Sequence, residues 1–319
     1  RHQDRGDRAA GAGVKIGRST AVTDTGRRRM RNEDAFVFEP PLFAIADGMG
    51  GARAGEVAAG IAAAALKEGR QSVTDEASLE AVIEEANRRV WQRSLSDPGT
   101  SGMGTTVTVA FVDATEDRVV FGQVGDSRAY RLRGDKLEQV TTDHSLVAEL
   151  VRSGVLTPEE AERHPQRSAI TRAVGTESAI EADVFAVPAE PGDLYLLCSD
   201  GLTDMLGADD IAATILAADR GPEAAGKALV AAANAKGGED NITVVLFELV
   251  EGEPEPEPEH DPDGTEADAS RHEEPSAVES GPKEVRTHGA GPGGQLAALG
   301  LIALVLVVGV LVLYWGIKR

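Results

Sequence analysis

Residues 105–132 read TTVTVAFVDATEDRVVFGQVGDSRAYRL and contain three strand-like runs in succession, at 105–112, 118–124 and 128–132. Each run is rich in Val, Thr, Phe or Tyr, which is typical of β-strands. No helical pattern separates the runs, and the gaps between them have hairpin length. Because strands at this spacing usually pair antiparallel, the stretch predicts an α+β fold rather than a doubly wound parallel sheet.

Further strand and helix patterns surround this stretch. Strand-like runs also occur at 42–46, 193–199 and 242–250. Helical patterns occur at 55–67, 78–95 and 223–236, and a capping box predicts a helix start at Thr157 with Glu160. We therefore expect one domain of mixed helix and strand over residues 14–250, preceded by a flexible segment at 1–13.

The composition excludes several classes of function. The 319 residues are 41% hydrophobic, which is enough for a sizeable core. The net charge of -21 argues against a nucleic-acid partner, because phosphate backbones require clustered positive charge. The single cysteine cannot form an intramolecular disulfide or a thiolate cage, so a bound metal would have oxygen or imidazole ligands.

An acidic segment follows the domain. Residues 251–288 carry 13 acidic and three basic side chains, begin with EGEPEPEPEHDPDG and contain almost no large apolar residue. Such a segment cannot bury enough apolar surface to offset the entropy of ordering. We predict a disordered, Pro- and Glu-rich linker at 251–295, and a solvated charge run without a specific partner is the simpler interpretation of its acidity.

An apolar run follows the linker. Leu296 to Tyr314 contains no charged residue, and a helix of that length spans about 28 Å, close to the hydrocarbon thickness of a bilayer. A buried core helix would usually keep a polar stripe, which this run lacks. We predict a transmembrane helix at 296–315 and a short tail at 316–319. Since the start of the sequence has no signal-peptide pattern, we expect a single-pass protein of the cell membrane with its folded domain in the cytoplasm.

Three aspartates lie at the ends of apolar strand patterns. Asp47 ends LFAIAD, Asp200 ends LYLLCSD, and Asp240 precedes ITVVLFELV. Converging carboxylates repel one another unless a cation lies among them. Any single Asp-Gly pair is more often a turn. Together with Glu33, Asp34 and Asp126, however, the three placements favour a polycarboxylate metal site.

Eight segments carry a family resemblance. In chain order they are GRRRMRNEDAF, FAIADGMGGARAGEVA, GMGTTVTVA, QVGDSRAYRLR, TTDHSLVAELV, HPQRSAITRAVG, YLLCSDGLTDML and EDNITVVL. The sequence over residues 14–250 resembles the metal-dependent type 2C (PPM) serine/threonine protein phosphatases, in particular the bacterial branch. The resemblance implies a four-layer α-β-β-α sandwich: two antiparallel sheets packed face to face, helices outside, and a two-metal centre at one end.

The resemblance also implies ligands for Mn²⁺ or Mg²⁺. Asp47 would bridge two ions, Asp200 and Asp240 would hold the first, and the Gly48 carbonyl with Glu33, largely through water, would hold the second. Two further residues match family positions: Asp126 matches the acid that supports a third metal together with Asp200, and Arg29, four residues before Glu33, matches the phosphate-binding arginine. The neighbouring Arg27, Arg28 and Arg31 leave that register open.

The implied reaction is hydrolysis of phosphoserine and phosphothreonine by a water or hydroxide activated at the two-metal centre. A thiolate nucleophile is not expected, because Asp204 stands at the sixth position after Cys198, where such phosphatases need arginine. Cys198 is best explained as a core residue. Met49 stands where family members of the animal type have a histidine proposed to protonate the leaving oxygen, so the resemblance leaves the general acid unassigned, and a metal-bound water could supply the proton. His144 is one candidate for that role, but a structural role is the stronger interpretation.

The implied substrates are phosphorylated proteins, including bacterial serine/threonine kinases and the proteins that those kinases modify. Residues 143–173 correspond to the family's flap beside the metal site. A catalytically silent phosphoprotein-binding or scaffolding relative is the main alternative, and the filled acidic positions argue against it. A structural calcium-binding module is a third interpretation, but the sequence lacks the twelve-residue loop pattern of the known type.

Overall fold

The computed structural model describes residues 13–50 and 54–252. Within them, no helix is long and apolar enough to cross a membrane. The predicted transmembrane helix at 296–315, the tail at 316–319 and all but the first two residues of the predicted linker lie outside the described residues, as does nearly all of the segment at 1–13.

Two antiparallel sheets form the centre of the described chain. The five-stranded sheet contains, in spatial order, β1 (Val14–Asp24), β11 (Ile242–Glu251), β10 (Leu194–Cys198), β7 (Arg128–Arg133) and β8 (Lys136–Gln139). The other sheet contains β2 (Asp34–Glu39), β3 (Leu42–Met49), β5 (Val107–Asp113), β6 (Arg118–Val124) and β9 (Asp183–Pro188), and the short β4 (Gly104–Thr105) pairs with the end of β3.

Helices flank both sheets. The helices are α1 (Ala54–Gly69), α2 (Glu76–Ser96), α3 (Leu146–Arg152), α4 (Pro158–Glu162), α5 (Asp200–Thr203), α6 (Ala208–Ala217) and α7 (Pro222–Ala235). Alanines, Leu66 and Ile83 of α1 and α2 share one core with the β2–β9 sheet, and Ile211, Ile215 and Leu229 of α6 and α7 share another with the β1–β8 sheet. The expected arrangement of two antiparallel sheets with helices outside is confirmed.

A third core lies between the two sheets and is dominated by aromatic rings. Phe43 of β3 stacks on Phe247 of β11 with ring centroids 4.5 Å apart, and Tyr195 of β10 stacks on Phe247 at 5.2 Å. All three rings are fully buried. Since these rings come from both sheets, their packing fixes the sheets face to face and gives the ends of the strands a rigid frame.

One pairing expected from the sequence is wrong. Strands β5 and β6 pair antiparallel as predicted, but β6 and β7 belong to different sheets. The link Gly125-Asp126-Ser127 crosses between them, and Gly125 has a φ of +104°, which a residue with a side chain would rarely adopt. A short gap between two strands is compatible with a hairpin and with a change of sheet. The crossing brings Asp126 to the end of the sandwich.

Several element boundaries can be compared with the sequence patterns. The capping box at the start of α4 is confirmed, since the Glu160 amide donates to Thr157 Oγ1 at 3.2 Å and the Thr157 amide donates to Glu160 Oε2 at 2.8 Å. Helix α2 begins at Glu76, two residues before the predicted start, because Asp75 caps it. Strand β11 includes Glu251, which the prediction assigned to the linker.

Candidate metal centre

Strand register brings the predicted acids to one end of the sandwich. Asp47 lies near the end of β3 and is paired with Asp34 of β2. Because β10 and β11 are antiparallel, Asp200 after the end of β10 lies beside Asp240, just before β11. A cleft of about 780 Å³ opens there, and its lining includes Arg29, Glu33, Asp47, Gly48, Asp200 and Asp240.

The carboxyl groups of this cleft raise one another's pKa. Burial, followed by the charges of Asp200, Asp34, Asp126 and Asp240, holds the pKa of Asp47 well above its usual value. The pKa of Asp200 is raised to about 6, first by burial and then by the charge of Asp240. Burial and mutual repulsion therefore disfavour the ionised forms of these acids, and a bound metal ion would relieve that cost.

Asp126 belongs to the same cluster. Burial raises the pKa of its carboxyl group to about 7, and the charge of Asp200 is the next largest cause. The sheet crossing thus places Asp126 close to Asp200, the residue with which it was expected to act.

Unpaired buried oxygens indicate that the site fits a cation. Asp34 Oδ1, Asp126 Oδ1 and Asp200 Oδ1 have no hydrogen-bond partner among the described residues. Buried polar atoms are normally satisfied, and hard divalent cations take such oxygens as ligands. Within residues 13–50 and 54–252, no three Asp, Glu, His or Cys side chains are yet grouped as ligands around one point. One of the proposed ligands, Asp240, is instead engaged by Arg29.

Two glycines allow Glu33 to approach the end of β3. A Cβ on Gly55 would lie 2.3 Å from Glu33 Oε2, and a Cβ on Gly48 would lie 2.2 Å from the Gly55 carbonyl oxygen. Neither position can carry a side chain without displacing its neighbours. Burial raises the pKa of Glu33, and the Asp240 charge adds to this while Arg29 opposes it. The Gly48 backbone and the Glu33 carboxylate are therefore adjacent, as the expected second ion requires.

Arg29 is the arginine of its loop that reaches the acids. Its Nη2 donates to Asp240 Oδ2 at 2.5 Å, and its side chain is half exposed in the cleft. Arg27 and Arg31 instead lie 3.9 Å from Asp24 and 3.8 Å from Glu56. This geometry favours the register chosen from the spacing to Glu33.

Asn241 fixes the loop that carries Arg29 and Glu33, a role that the sequence analysis missed. Its Oδ1 accepts the Glu33 amide at 2.7 Å, and its Nδ2 donates to the carbonyl oxygens of Thr25 at 2.9 Å and Arg31 at 2.8 Å. The side chain is 4% exposed. The signal was present in the sequence as the Asn that directly follows Asp240.

Hydroxyl groups contact the Asp34 carboxyl group and the Asp47 backbone, and the sequence analysis missed these hydroxyl groups too. Ser199 Oγ and Thr243 Oγ1 both donate to Asp34 Oδ2, at 2.9 and 2.6 Å. The Asp47 amide donates to Thr106 Oγ1 at 2.9 Å. Burial raises the pKa of Asp34 to about 7 despite its two donors. These residues orient the acids from behind, and they occur within the motifs SDG, NIT and GTT.

His144 is a structural residue, as the stronger interpretation held. Its side chain is fully buried, its Nδ1 accepts the Gly125 amide at 3.2 Å, and its Nε2 lies 3.1 Å from Asp183 Oδ2. Burial lowers the pKa of the imidazole. His144 does not line the cleft, whereas Met49 does. The histidine supports the crossing that carries Asp126.

Two further expectations concern the flap and the cysteine. Residues 143–173 contain α3 and α4, and Ser168 and Ile170 of this segment line the cleft. Cys198 is fully buried in β10, which confirms the prediction of a core residue, and burial raises the pKa of its thiol to about 12. A thiol in that state is a poor nucleophile.

Comparisons with known proteins agree with this geometry. The family model "Protein phosphatase 2C" matches residues 25–229. The serine/threonine phosphatase Stp of Listeria innocua is 41% identical over 238 residues, which span 71% of this chain and 93% of that protein. The serine/threonine phosphatase PstP/Ppp of Mycobacterium tuberculosis has a TM-score of 0.70 at 37% identity, covering 74% of this chain and all of that one. The PstP catalytic domain in complex with two manganese ions has a TM-score of 0.68 at 34% identity, covering 74% of this chain and 99% of that one.

Proposed function

The chain belongs to the protein phosphatase 2C family. From this premise we propose which of its residues take part in the hydrolysis of phosphoserine and phosphothreonine in proteins. The chain is a protein-serine/threonine phosphatase. The assignment of residues rests on one observation. The cleft is lined by Asp47, Asp200 and Asp240 together with Arg29.

We assign the acids to two ions, Mn²⁺ or Mg²⁺. Asp47 would contact both ions, Asp200 and Asp240 the first, and the Gly48 carbonyl with Glu33 the second. Asp126 and Asp200 would hold a third. When bound, such ions would neutralise the carboxylates, draw charge from a phosphate ester and lower the pKa of water so that hydroxide is available near neutral pH.

Arg29 would bind the phosphate of the substrate. Its guanidinium group is half exposed in the cleft and touches one acid, Asp240. A guanidinium group can donate two parallel hydrogen bonds to phosphate oxygens, which orients the ester in the cleft. The cores beneath the acids hold their strands rigidly, so the residues are positioned before the substrate arrives.

Catalysis is favoured over silent phosphoprotein binding. The acid at each expected side-chain ligand position is present, and three buried carboxylate oxygens still lack a partner in the described chain. A protein that only binds phosphate would gain nothing from a repelling cluster of this kind.

The test is Mn²⁺-dependent release of phosphate from a phosphothreonine peptide. Asp47→Asn and Asp200→Asn should abolish turnover and weaken Mn²⁺ binding measured by calorimetric titration, while the domain stays folded. Asp113→Asn is a matched control, because Asp113 is also buried but pairs with Arg118 at the far end of β5. Wild-type turnover and affinity in both site variants would mean that the carboxylates are turn residues.

We also propose a membrane tether, supported by the sequence at 251–315 alone. The single-pass helix would hold the catalytic domain at the cytoplasmic face of the cell membrane. There the tether raises its effective concentration toward membrane-bound phosphoproteins, including receptor-type serine/threonine kinases, without changing its chemistry.

Fractionation tests the tether. The full chain should partition with membranes and be extracted by detergent but not by high salt, whereas a chain ending at Gly252 should be soluble with similar peptide turnover. The cut follows Gly252 because its amide donates to the Gly13 carbonyl oxygen. Release by salt alone would overturn the tether.

A further inference from the structure

The loop before Glu33 carries far more positive charge than the expected chemistry requires. Its sequence GRRRMRNED places four arginines within five residues, in a chain with a net charge of -21. Arg29 reaches Asp240, but Arg27, Arg28 and Arg31 do not contact the proposed ligands. We call these three arginines the basic rim.

The charge of the basic rim is only weakly compensated. The side chains of Arg27 and Arg31 are 60% and 50% exposed, and their nearest carboxylates, Asp24 and Glu56, lie at 3.9 and 3.8 Å. No carboxylate of the described chain lies within 4.0 Å of the Arg28 guanidinium group. Exposed pairs at such distances contribute little and can exchange partners readily.

The backbone of the loop that carries the basic rim is anchored beside the cleft. The Arg27 and Arg28 amides donate to the Gly238 carbonyl oxygen at 2.7 and 3.2 Å, and Asn241 binds the Arg31 carbonyl oxygen at 2.8 Å. Arg31 and the almost fully exposed Met30 line the cleft beside Arg29. The loop backbone is therefore anchored, and it keeps the three arginines within two residues of Arg29.

Distances along the chain match those of a bound peptide. Arg27 and Arg31 are two residues from Arg29 on either side, so their Cα atoms lie within about 7 Å of its Cα. An extended peptide advances about 3.3 Å per residue. Side chains within a few positions of a phosphorylated residue bound at Arg29 would thus come within reach of the basic rim.

We propose that Arg27, Arg28 and Arg31 select phosphorylated segments with carboxylate side chains beside the phosphoserine or phosphothreonine. This inference rests on the proposed function, because it assumes that Arg29 receives the phosphate. Fixed positive charge attracts acidic segments and repels basic ones, which gives the phosphatase a sequence preference outside the reacting bond. Met30 adds an exposed apolar contact between the charges.

The experiment compares kcat/KM of the full chain, with Mn²⁺, on three phosphothreonine peptides that carry Glu, Gln or Lys on both sides of the phosphothreonine. We expect the Glu peptide to be about tenfold better than the Gln peptide, since each exposed ion pair gives up to about fivefold, and the Lys peptide to be worst. The preference should shrink in high salt.

A variant with Arg27→Gln, Arg28→Gln and Arg31→Gln should lose most of this preference. Arg70→Gln, Arg88→Gln and Arg93→Gln form the matched control, because they remove three charges from α2 and the turn before it and should keep the preference. Turnover of p-nitrophenyl phosphate, which is too small to reach the basic rim, should stay within about twofold of wild type in both variants.

The outcomes separate the two proposals. Absence of p-nitrophenyl phosphate turnover in the wild type would count against the proposed function itself. Normal turnover with equal kcat/KM on the Glu and Gln peptides, or an equal loss of preference in the control variant, would overturn the role of the basic rim.

Discussion

Replacing Asn241 by Ala tests whether the loop that carries Arg29 and Glu33 is positioned by one buried amide. The amide accepts the Glu33 N–H at 2.7 Å and donates to two carbonyl oxygens, those of Thr25 at 2.9 Å and Arg31 at 2.8 Å. Alanine removes all three bonds and leaves one donor and two acceptors unpaired at a nearly buried position.

The magnitude follows from those contacts. A net value of about 1 kcal/mol per hydrogen bond gives a loss of about 3 kcal/mol in the free energy of unfolding, and somewhat more if the orphaned groups stay dry. For a domain of this size that lowers the Tm by about 6 to 12 °C. Because the freed loop carries Arg29 and Glu33, we also expect weaker Mn²⁺ binding and a kcat/KM on phosphopeptide reduced by at least about tenfold.

Asn87→Ala is the matched control. Asn87 is 2% exposed and also anchors a loop, accepting the Gly175 amide at 2.7 Å and donating to the Glu177 carbonyl oxygen at 3.1 Å. It should destabilise the domain by about 2 kcal/mol and leave Mn²⁺ binding unchanged. Urea unfolding, calorimetric Mn²⁺ titration and peptide turnover measure the three effects. Wild-type Mn²⁺ affinity and turnover in a destabilised Asn241→Ala protein would refute the positioning role.

Three further predictions follow from the site and the core. Burial raises the pKa of Asp34 and Asp126 to about 7. The metal-free folded protein therefore keeps protons that the unfolded chain releases above about pH 4, so its free energy of unfolding, measured by urea titration, should fall between pH 4 and 7. Mn²⁺ added at pH 8 should restore the lost stability. Cys198→Ser should keep most peptide turnover with a modest loss of stability, and complete loss in a folded variant would contradict direct hydrolysis. Gly55→Ala should weaken Mn²⁺ binding measured by calorimetry, because the added Cβ would collide with Glu33 Oε2. Gly60→Ala on the same helix is the control and should bind Mn²⁺ normally, because a Cβ there would have no atom within 4 Å.

Much of the fold could be predicted from periodicity because the buried strands are strongly apolar. Strands β3, β5, β6, β7, β10 and β11 all coincide with predicted runs. Strands β1, β2, β8 and β9 were not predicted. They lie at the edges of the two sheets, and most of their side chains are half-buried or exposed; β1 and β8 are mostly polar, whereas β2 and β9 contain only the short apolar runs AFVF and VFAV. Propensity alone cannot distinguish such edge or half-covered strands from loops.

The acids of the candidate site could be predicted because they stand where apolar runs stop, as Asp47 and Asp200 do. Their supports could not. The bonds of Asn241 to Thr25 and Glu33 join positions more than 200 residues apart in sequence, and no local pattern reveals such a partner. The same holds for the sheet crossing at Asp126, since its short gap has the length of a hairpin.

The pairing of β1 with β11 has a consequence for rebuilding the molecule. Val14 stands opposite Glu251, and the Gly252 amide donates to the Gly13 carbonyl oxygen at 2.5 Å, so the two ends of the described domain meet at the end of the sheet opposite to Asp240. A linker of a few residues should therefore join them covalently, and the chain could be reopened at the exposed turn between β5 and β6. Such a circular permutant would keep every residue of the cleft in place, with both new ends far along the strands from the chemistry.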